Sequence, residues 1–349
     1  MALPRMACAF TLSMLLASAA PAQHQVVCTG EAAGGYAAFP DVCRLPNGDL
    51  FCVFYAGYQH VSTPNDKWPK GGRIMAVHSS DTGKTWGKPA LAIDTVQDDR
   101  DPSVACLKDG TLLLNWFTLQ KNQVAVFLAR STDQGKTWGE PVKLKLDSPY
   151  SFASSSPVRQ LPDGSLILSL YHEDDKKGLA FGATVKSHDG GKTWKDVALI
   201  GEKAGVPLDA ETDVVRLKGG KLLAALRSSK VDMHYAVSDD SGKTWGPVRS
   251  FGFKGHCPYF LRHSGGVILL AHRVPDTSLH WSADEGKTWQ GPVKIDAVGG
   301  AYPSLVELPD GLVYCVYYEE GKGSSIRGVR LRVDARDGVK VVPAGGERR

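Results

Sequence analysis

Four side chains able to hold or move a proton stand at one repeated position of this 349-residue sequence. Six apolar segments each carry a glycine in a turn-like context: Gly48, Gly110, Gly164, Gly220, Gly265 or Gly266, and Gly311. Nine residues before each, taking Gly265 in the fifth, stand Phe39, Asp101, Ser155, Glu211, His256 and Tyr302. One position earlier stand Ala38, Arg100, Ser154, Ala210, Gly255 and Ala301. Carboxyl, imidazole and phenol groups are those that exchange protons in catalysis, and a scaffold does not need Asp, Glu, His and Tyr at equivalent places. Two arginines share a second count: Arg227 lies seven residues after Gly220, and Arg273 seven after Gly266. An arginine fork matches a carboxylate bidentately, as lysine cannot. The pattern reads as one polar site. The alternative is that Glu211 and Tyr302 only tie two segments together through a hydrogen bond.

The glycines belong to six copies of one unit, among them RLPNGDLFCVFYAG at Arg44, QLPDGSLILSLYHE at Gln160 and ELPDGLVYCVYYEE at Glu307. Each copy is a short strand, an Asp-Gly or Gly-Gly turn and an apolar strand, and glycine supplies the positive φ of such hairpin turns. A third strand leads into an octapeptide: SSDTGKTW at Ser79, STDQGKTW at Ser131, SHDGGKTW at Ser187, SDDSGKTW at Ser238 and SADEGKTW at Ser282. The segment after it, such as GEPVKLKL, reads as a fourth strand. Four strands repeated six times, with a period of about 50 residues, predict an all-β fold: a six-bladed β-propeller of four-stranded antiparallel blades. The sixth copy lacks the octapeptide, and an N-terminal strand around Val26 to Cys28 is expected to complete it. The first strand of a propeller blade is innermost, so its entry end faces a central pocket.

The octapeptide S-x-D-x-G-x-T-W is the Asp-box, and on it the chain resembles the sialidase superfamily, over nearly all of the sequence beyond residue 22. The boxes mark architecture and not reaction, because they also occur in propellers that are not sialidases. They read as rim scaffolding. The resemblance goes further at particular residues. ETDVVRLKGGKLLAALR is similar to the segment in which a Glu begins one strand and an Arg ends the next, which falls on Glu211 and Arg227. AYPSLVELPDG is similar to the segment that carries the tyrosine nucleophile, here Tyr302, and AHRVPDTSLHWSADEGKTW to one whose Arg binds the substrate carboxylate, here Arg273. The resemblance implies an exo-sialidase-like glycoside hydrolase acting on a terminal acidic sugar with retention of configuration. Glu211 would deprotonate Tyr302, and a phenol would meet less repulsion from a sialoside carboxylate than a carboxylate nucleophile would.

One position departs from the family pattern. Members open the first blade with Arg-x-Pro, the first of three arginines on the carboxylate, where this sequence has Ala38-Phe39-Pro40. Loss of one charged contact costs ~1.5–3 kcal/mol of binding. Arg100, in DDRDPS, is expected either to reach the pocket in its place or to pair with Asp98 or Asp99 at the surface. The family's general acid lies in the loop between the second and third strands of blade one, AGYQHVSTPNDKWPKGG, where Asp66 is the only acidic residue. Asp101 competes for that role, and both can be ordinary solvated acids. Tyr58 and Trp68 of the loop suit either a sugar-stacking wall or a cover for the mouth. A related exo-glycosidase on a different sugar, or a non-catalytic glycan-binding propeller, are the alternative readings.

Hydrophobic residues make up 42% of the chain and charged residues 22%, which suits a packed core, and the net charge of +4 fits an acidic ligand without arguing for nucleic acid. Arg5, the apolar run from Met6 to Leu16 and Ala20-Pro21-Ala22 read as a secretory signal cut near Ala22, leaving one propeller domain over 23–349 in a secreted or periplasmic protein. No other apolar run approaches the ~18 residues of a membrane span. Of seven cysteines, Cys8 leaves with the signal. The remaining six permit disulfides, but Cys52, Cys106 and Cys315 lie in apolar runs where a buried thiol is expected. No CxxC or HExxH occurs, so neither a metal site nor a cofactor is expected.

Overall fold

A computed structural model describes residues 24–120, 123–174, 176–209, 211–321 and 324–342, and the expected signal segment, residues 1–22, lies outside them. Nearly all of the regular structure is β. The strands form six antiparallel sheets, five of them with consecutive four-strand order. Their inner strands are Tyr36–Arg44, Asp98–Cys106, Arg159–Gln160, Thr212–Arg216, His256–Arg262 and Gly300–Glu307. The second strands are mostly apolar and mostly buried, as strands packed on both faces must be. Every residue of Leu50–Gly57 and of Leu222–Leu226 is buried.

The sixth blade is closed by both ends of the chain. Its third strand, Ser325–Asp334, pairs with Gln25–Thr29 along its first half and with Gly338–Val342 along its second. The clasp expected at Val26 to Cys28 is therefore present, and a C-terminal strand shares it.

The hairpin glycines all take positive φ and return a hydrogen bond three residues back, as from Gly48 N to Leu45 O and Gly311 N to Leu308 O. In blade five the residue that does so is Gly266, bonded to His263 O with φ +87°, and not Gly265. Counting nine back from Gly266 reaches Cys257, so the placement of His256 in the equivalent ring is corrected by one residue.

The five boxes share one geometry. In the first, Ser79 Oγ donates to Asp81 Oδ1 at 2.8 Å and accepts from Gly83 N at 2.8 Å. Asp81 also accepts from Lys84 N, Thr85 N and Thr85 Oγ1 at 2.9, 2.8 and 2.6 Å. These bonds to the charged form hold the Asp81 carboxyl down at about 2, despite the opposing effect of burial. The box glycine then presses on the second strand of the preceding blade. A Cβ on Gly135 would lie 2.5 Å from the Phe51 ring, and one on Gly242 would lie 2.9 Å from Ile167. The boxes lock blade to blade, and no box residue lines the cavity at the inner strand ends. All six cysteines from Cys28 to Cys315 are free, and all but Cys106 are buried.

Candidate active site

Four of the six inner strands carry the same irregularity at the pocket end. Their registers slip between Ala38 and Asp41, Arg100 and Ser103, His256 and Tyr259, and Ala301 and Ser304. Each slip is a bulge of one residue followed by proline: Phe39-Pro40, Asp101-Pro102, Cys257-Pro258 and Tyr302-Pro303. The bulged residues have φ of 51°, 48°, 53° and 43°. A left-handed non-glycine residue before proline is strained by about 1–3 kcal/mol, and a bulge re-aims the side chain it carries. Here it aims four side chains at the axis. With Ser155 they line a cavity of about 10 Å³, room for roughly one water.

Glu211 reaches this floor from blade four and is 3% exposed. The phenol of Tyr302 donates to its Oε1 at 2.5 Å. Arg227 Nη1 donates to Oε1 and Oε2 at 2.8 and 2.7 Å. Backbone pairing of Arg227 N with Glu211 O at 3.1 Å fixes the two side by side. Burial pushes the Glu211 carboxyl up, but the Arg227 charge and the Tyr302 hydroxyl outweigh it, and the group sits below the usual range. Burial, Cys257 and Glu211 together push the Tyr302 phenol well up, so it is neutral and a donor. Asp209 Oδ1 stands 3.3 Å from Arg227 Nε.

Arg273 ends the second strand of blade five, opposite His256. Its guanidinium lies 5.8 Å from the Tyr302 ring centroid, and no carboxylate pairs with it among the described residues. His256 is half-buried, and burial followed by the Arg227 and Arg273 charges lowers its pKa, so the imidazole is neutral at neutral pH.

Arg100 is neither a surface residue nor a free fork. It is 6% exposed, with Nη1 3.5 Å from Asp98 Oδ2 and 2.5 Å from the His60 carbonyl, and Nη2 3.8 Å from Asp101 Oδ1. The rings of Phe39, Tyr55 and Phe117 surround it. Asp101 accepts from Ser155 Oγ at 2.9 Å, and its buried Oδ1 has no hydrogen-bond partner among the described residues. Burial pushes its carboxyl up to about 6, against the pull of Arg100 and with the help of Glu211.

Asp66 is exposed on the loop that leaves blade one at the pocket end, and no hydrogen bond or ion pair holds it among the described residues. The loop itself is anchored by buried Asp98, which accepts from Tyr55 Oη, Ser62 N and Gly72 N. Tyr58 and Trp68 pack together at 5.4 Å, with Arg73 over Trp68. Among the described residues, no three His, Cys, Asp or Glu side chains gather as metal ligands.

A second ring of side chains stands around the first, and sequence reasoning found only a third of it. Seven residues after the hairpin glycines lie Tyr55, Phe117, Tyr171, Arg227, Arg273 and Tyr318. Register pairs four of them with the inner strands: Ala38 with Tyr55, Arg100 with Phe117, His256 with Arg273 and Ala301 with Tyr318. The count that located the two arginines also locates the aromatics. Glu320, Tyr36 and His60 carried no such signal, because their meeting joins blade six to blade one.

Residues 101–315 match the family described as BNR repeat-like domain. The chain belongs to the BNR repeat-like family. Its relatives include a sialidase of Micromonospora viridifaciens, 26% identical over 332 residues that cover 81% of this chain and 50% of that protein. A sialidase of Paraclostridium sordellii is 22% identical over 201 residues, 49% of each chain. The BNR repeat-like chain spans about half the length of these curated relatives. Among solved structures, a protein of unknown function from Dyadobacter fermentans superposes with a TM-score of 0.73 at 23% identity, covering 86% of this chain and 96% of that one. The intramolecular trans-sialidase of Ruminococcus gnavus gives 0.68 at 14% identity, covering 87% and 96%. The similarity to sialidases, the six-bladed fold and the five boxes thus agree with the sequence reading. No helix among the described residues is long and apolar enough to cross a membrane.

Proposed function

We propose that the chain is an exported, retaining glycoside hydrolase of the exo-sialidase type, cleaving a terminal acidic sugar from a glycan. The observation that carries this reading is the 2.5 Å bond from the Tyr302 phenol to an ionised Glu211. Tyrosine nucleophiles are an established exception among glycosidases, found in sialidases. In the first step Tyr302 Oη bonds to the anomeric carbon while Glu211 takes the phenol proton. The glycosidic C–O bond breaks, and an acid protonates the leaving oxygen. In the second step water, deprotonated by the same acid/base, displaces Tyr302, which recovers its proton from Glu211.

Arg273, with no carboxylate of its own, supports the role of a clamp on the sugar carboxylate, and Arg227 flanks it while holding Glu211 ionised. Asp66 supports the acid/base role by position, because an aglycone leaves through the mouth and this loop stands there. Asp101, on the floor beside Tyr302, fits a contact to a ring substituent, with Arg100 holding it in place. His256, opposite Arg273 and under the influence of both the Arg227 and Arg273 charges, fits a neutral hydrogen-bonding group.

Hydrolysis of a fluorogenic α-sialoside, together with a panel of other acidic glycosides, tests the proposal. Turnover of any member that disappears in Tyr302→Phe supports it. Sugar binding with no turnover of any member overturns it in favour of a glycan-binding propeller.

A further inference from the structure

We infer that Glu320 is a substrate-binding residue, and that the site takes a sugar presenting hydroxyl groups, not a carboxylate, to the blade-one side of Tyr302. The inference deepens the hydrolase reading by naming which sugar the same pocket holds, and it can be tested by binding alone.

The argument starts at the missing arginine. Ala38 is fully buried in a core it shares with Tyr36, Tyr55 and Tyr318. Tyr36, two residues earlier, lies on the same face of the strand. Its hydroxyl donates to Glu320 Oε1 at 2.8 Å, and Tyr318 Oη donates to Oε2 at 2.7 Å. Two phenols from two blades thus hold one carboxylate from behind. His60 joins them, with Nδ1 3.2 Å from Tyr36 Oη and 3.6 Å from Glu320 Oε2. The Glu320 side chain is nevertheless 39% exposed. A carboxylate has about four lone-pair sites, so two phenols leave it able to accept more from the open side.

A chain of ring contacts links this carboxylate to Tyr302, through Tyr318, which donates to it. The Phe39 ring is 4.8 Å from Tyr302, 5.3 Å from Tyr318 and 5.1 Å from His60, and Tyr318 is itself 6.1 Å from Tyr302. Burial raises the Glu320 carboxyl, but the Tyr318 and Tyr36 hydroxyls outweigh it and the group is ionised at neutral pH.

The guanidinium groups are unevenly committed. Arg100 faces Asp98 and Asp101, and Arg227 faces Glu211 and Asp209. Arg273 alone of the three has no carboxylate partner among the described residues. A sugar acid therefore finds one free fork, on blade five. A carboxylate turned to the blade-one side would meet Glu320 and be repelled, whereas hydroxyl donors there would form charge-assisted hydrogen bonds.

The test compares wild type with Glu320→Gln and Glu320→Ala on fluorogenic sialosides, hexuronides and neutral hexosides. Melting temperatures within a few degrees of wild type confirm the fold of each variant. The expected result is a hydroxyl-rich hexuronide preferred over the sialoside. KM for it should rise about tenfold in Glu320→Gln and more in Glu320→Ala, with kcat changed less than about threefold. Preference for the sialoside, with KM unmoved in both variants, would overturn the inference while leaving the hydrolase reading intact. If no substrate is turned over, equilibrium binding of the free sugars decides. Weakening of about tenfold in Glu320→Gln sustains the role of Glu320 although the hydrolase reading falls, and equal binding, or none to wild type, overturns it.

Discussion

The Tyr302 hydroxyl and the Glu211 carboxylate, 91 positions apart in sequence, meet at 2.5 Å across the axis of the propeller. Tyr302 arrives on a strained bulge from blade six, and Glu211 on a regular strand end from blade four, fixed beside Arg227. A nucleophile that shares its proton with a base needs both groups. Tyr302→Phe and Glu211→Gln are each expected to lower kcat about 10²–10⁴-fold while the folded state persists. Steady-state kinetics beside circular dichroism checks this.

Glu211→Ala should behave differently from Glu211→Gln. Both variants remove the charge that compensates Arg227, whose side chain is 18% exposed. Only Ala also removes the oxygen that accepts from Arg227 and Tyr302 and leaves a gap in its place. Breaking such a pair from one side costs about 3 kcal/mol or more, so chemical denaturation should show a clear loss for Ala and a smaller one for Gln.

Asp66 and Asp101 can be told apart by leaving group. Loss of a general acid matters most when the aglycone is a poor leaving group. Asp66→Asn is expected to slow an alkyl glycoside far more than an activated aryl glycoside. Asp101→Asn should affect both alike, through binding. Equal losses in Asp66→Asn would remove that residue from the acid/base role.

The raised pKa of Asp101 predicts a pH effect on stability. Burial pushes its carboxyl up to about 6 in the fold, above the range of an ordinary exposed aspartate. The native state therefore holds a proton that the unfolded chain has released. That stabilisation is complete below about pH 4 and disappears as pH rises through 6. Asp101→Asn keeps a neutral group at all pH values. Its melting temperature should gain on wild type between pH 4 and 7, by the equivalent of up to about 3 kcal/mol. A difference that does not vary with pH would refute the assignment.

The boxes should affect stability without affecting chemistry. At Gly135, with φ +83°, an added Cβ lies 2.5 Å from Phe51 of the preceding blade. Gly135→Ala is expected to cost about 1–3 kcal/mol and to leave kcat per folded molecule unchanged. Thermal melting and active-site titration together check both halves.

The architecture was legible in the chain because its signals are local and repeated. A box fixes its own turn through side-chain bonds within five residues, a hairpin glycine fixes the next, and six copies at about 50-residue spacing leave a closed ring as the way to bury both faces of each blade. Counting from those glycines also located Glu211, Arg227, Arg273 and Tyr302. The count slipped at Gly265–Gly266, where two adjacent glycines are equal as letters and only the hydrogen bond and φ of Gly266 distinguish them.

What the sequence by itself determined is therefore the fold, the register of the blades and the chemical types offered at the inner strand ends. Tertiary structure decided which of those groups face one another and what charge each keeps. Arg100 reads the same whether it is free or held, and only folding brings Asp98, Asp101 and three aromatic rings around it. Glu320 is one acid in a run of two until Tyr36 and Tyr318 close on it from separate blades. Spacing along a repeat is a local property, but the closure of the ring joins residues hundreds of positions apart, and burial there sets both the pairing and the protonation of the site.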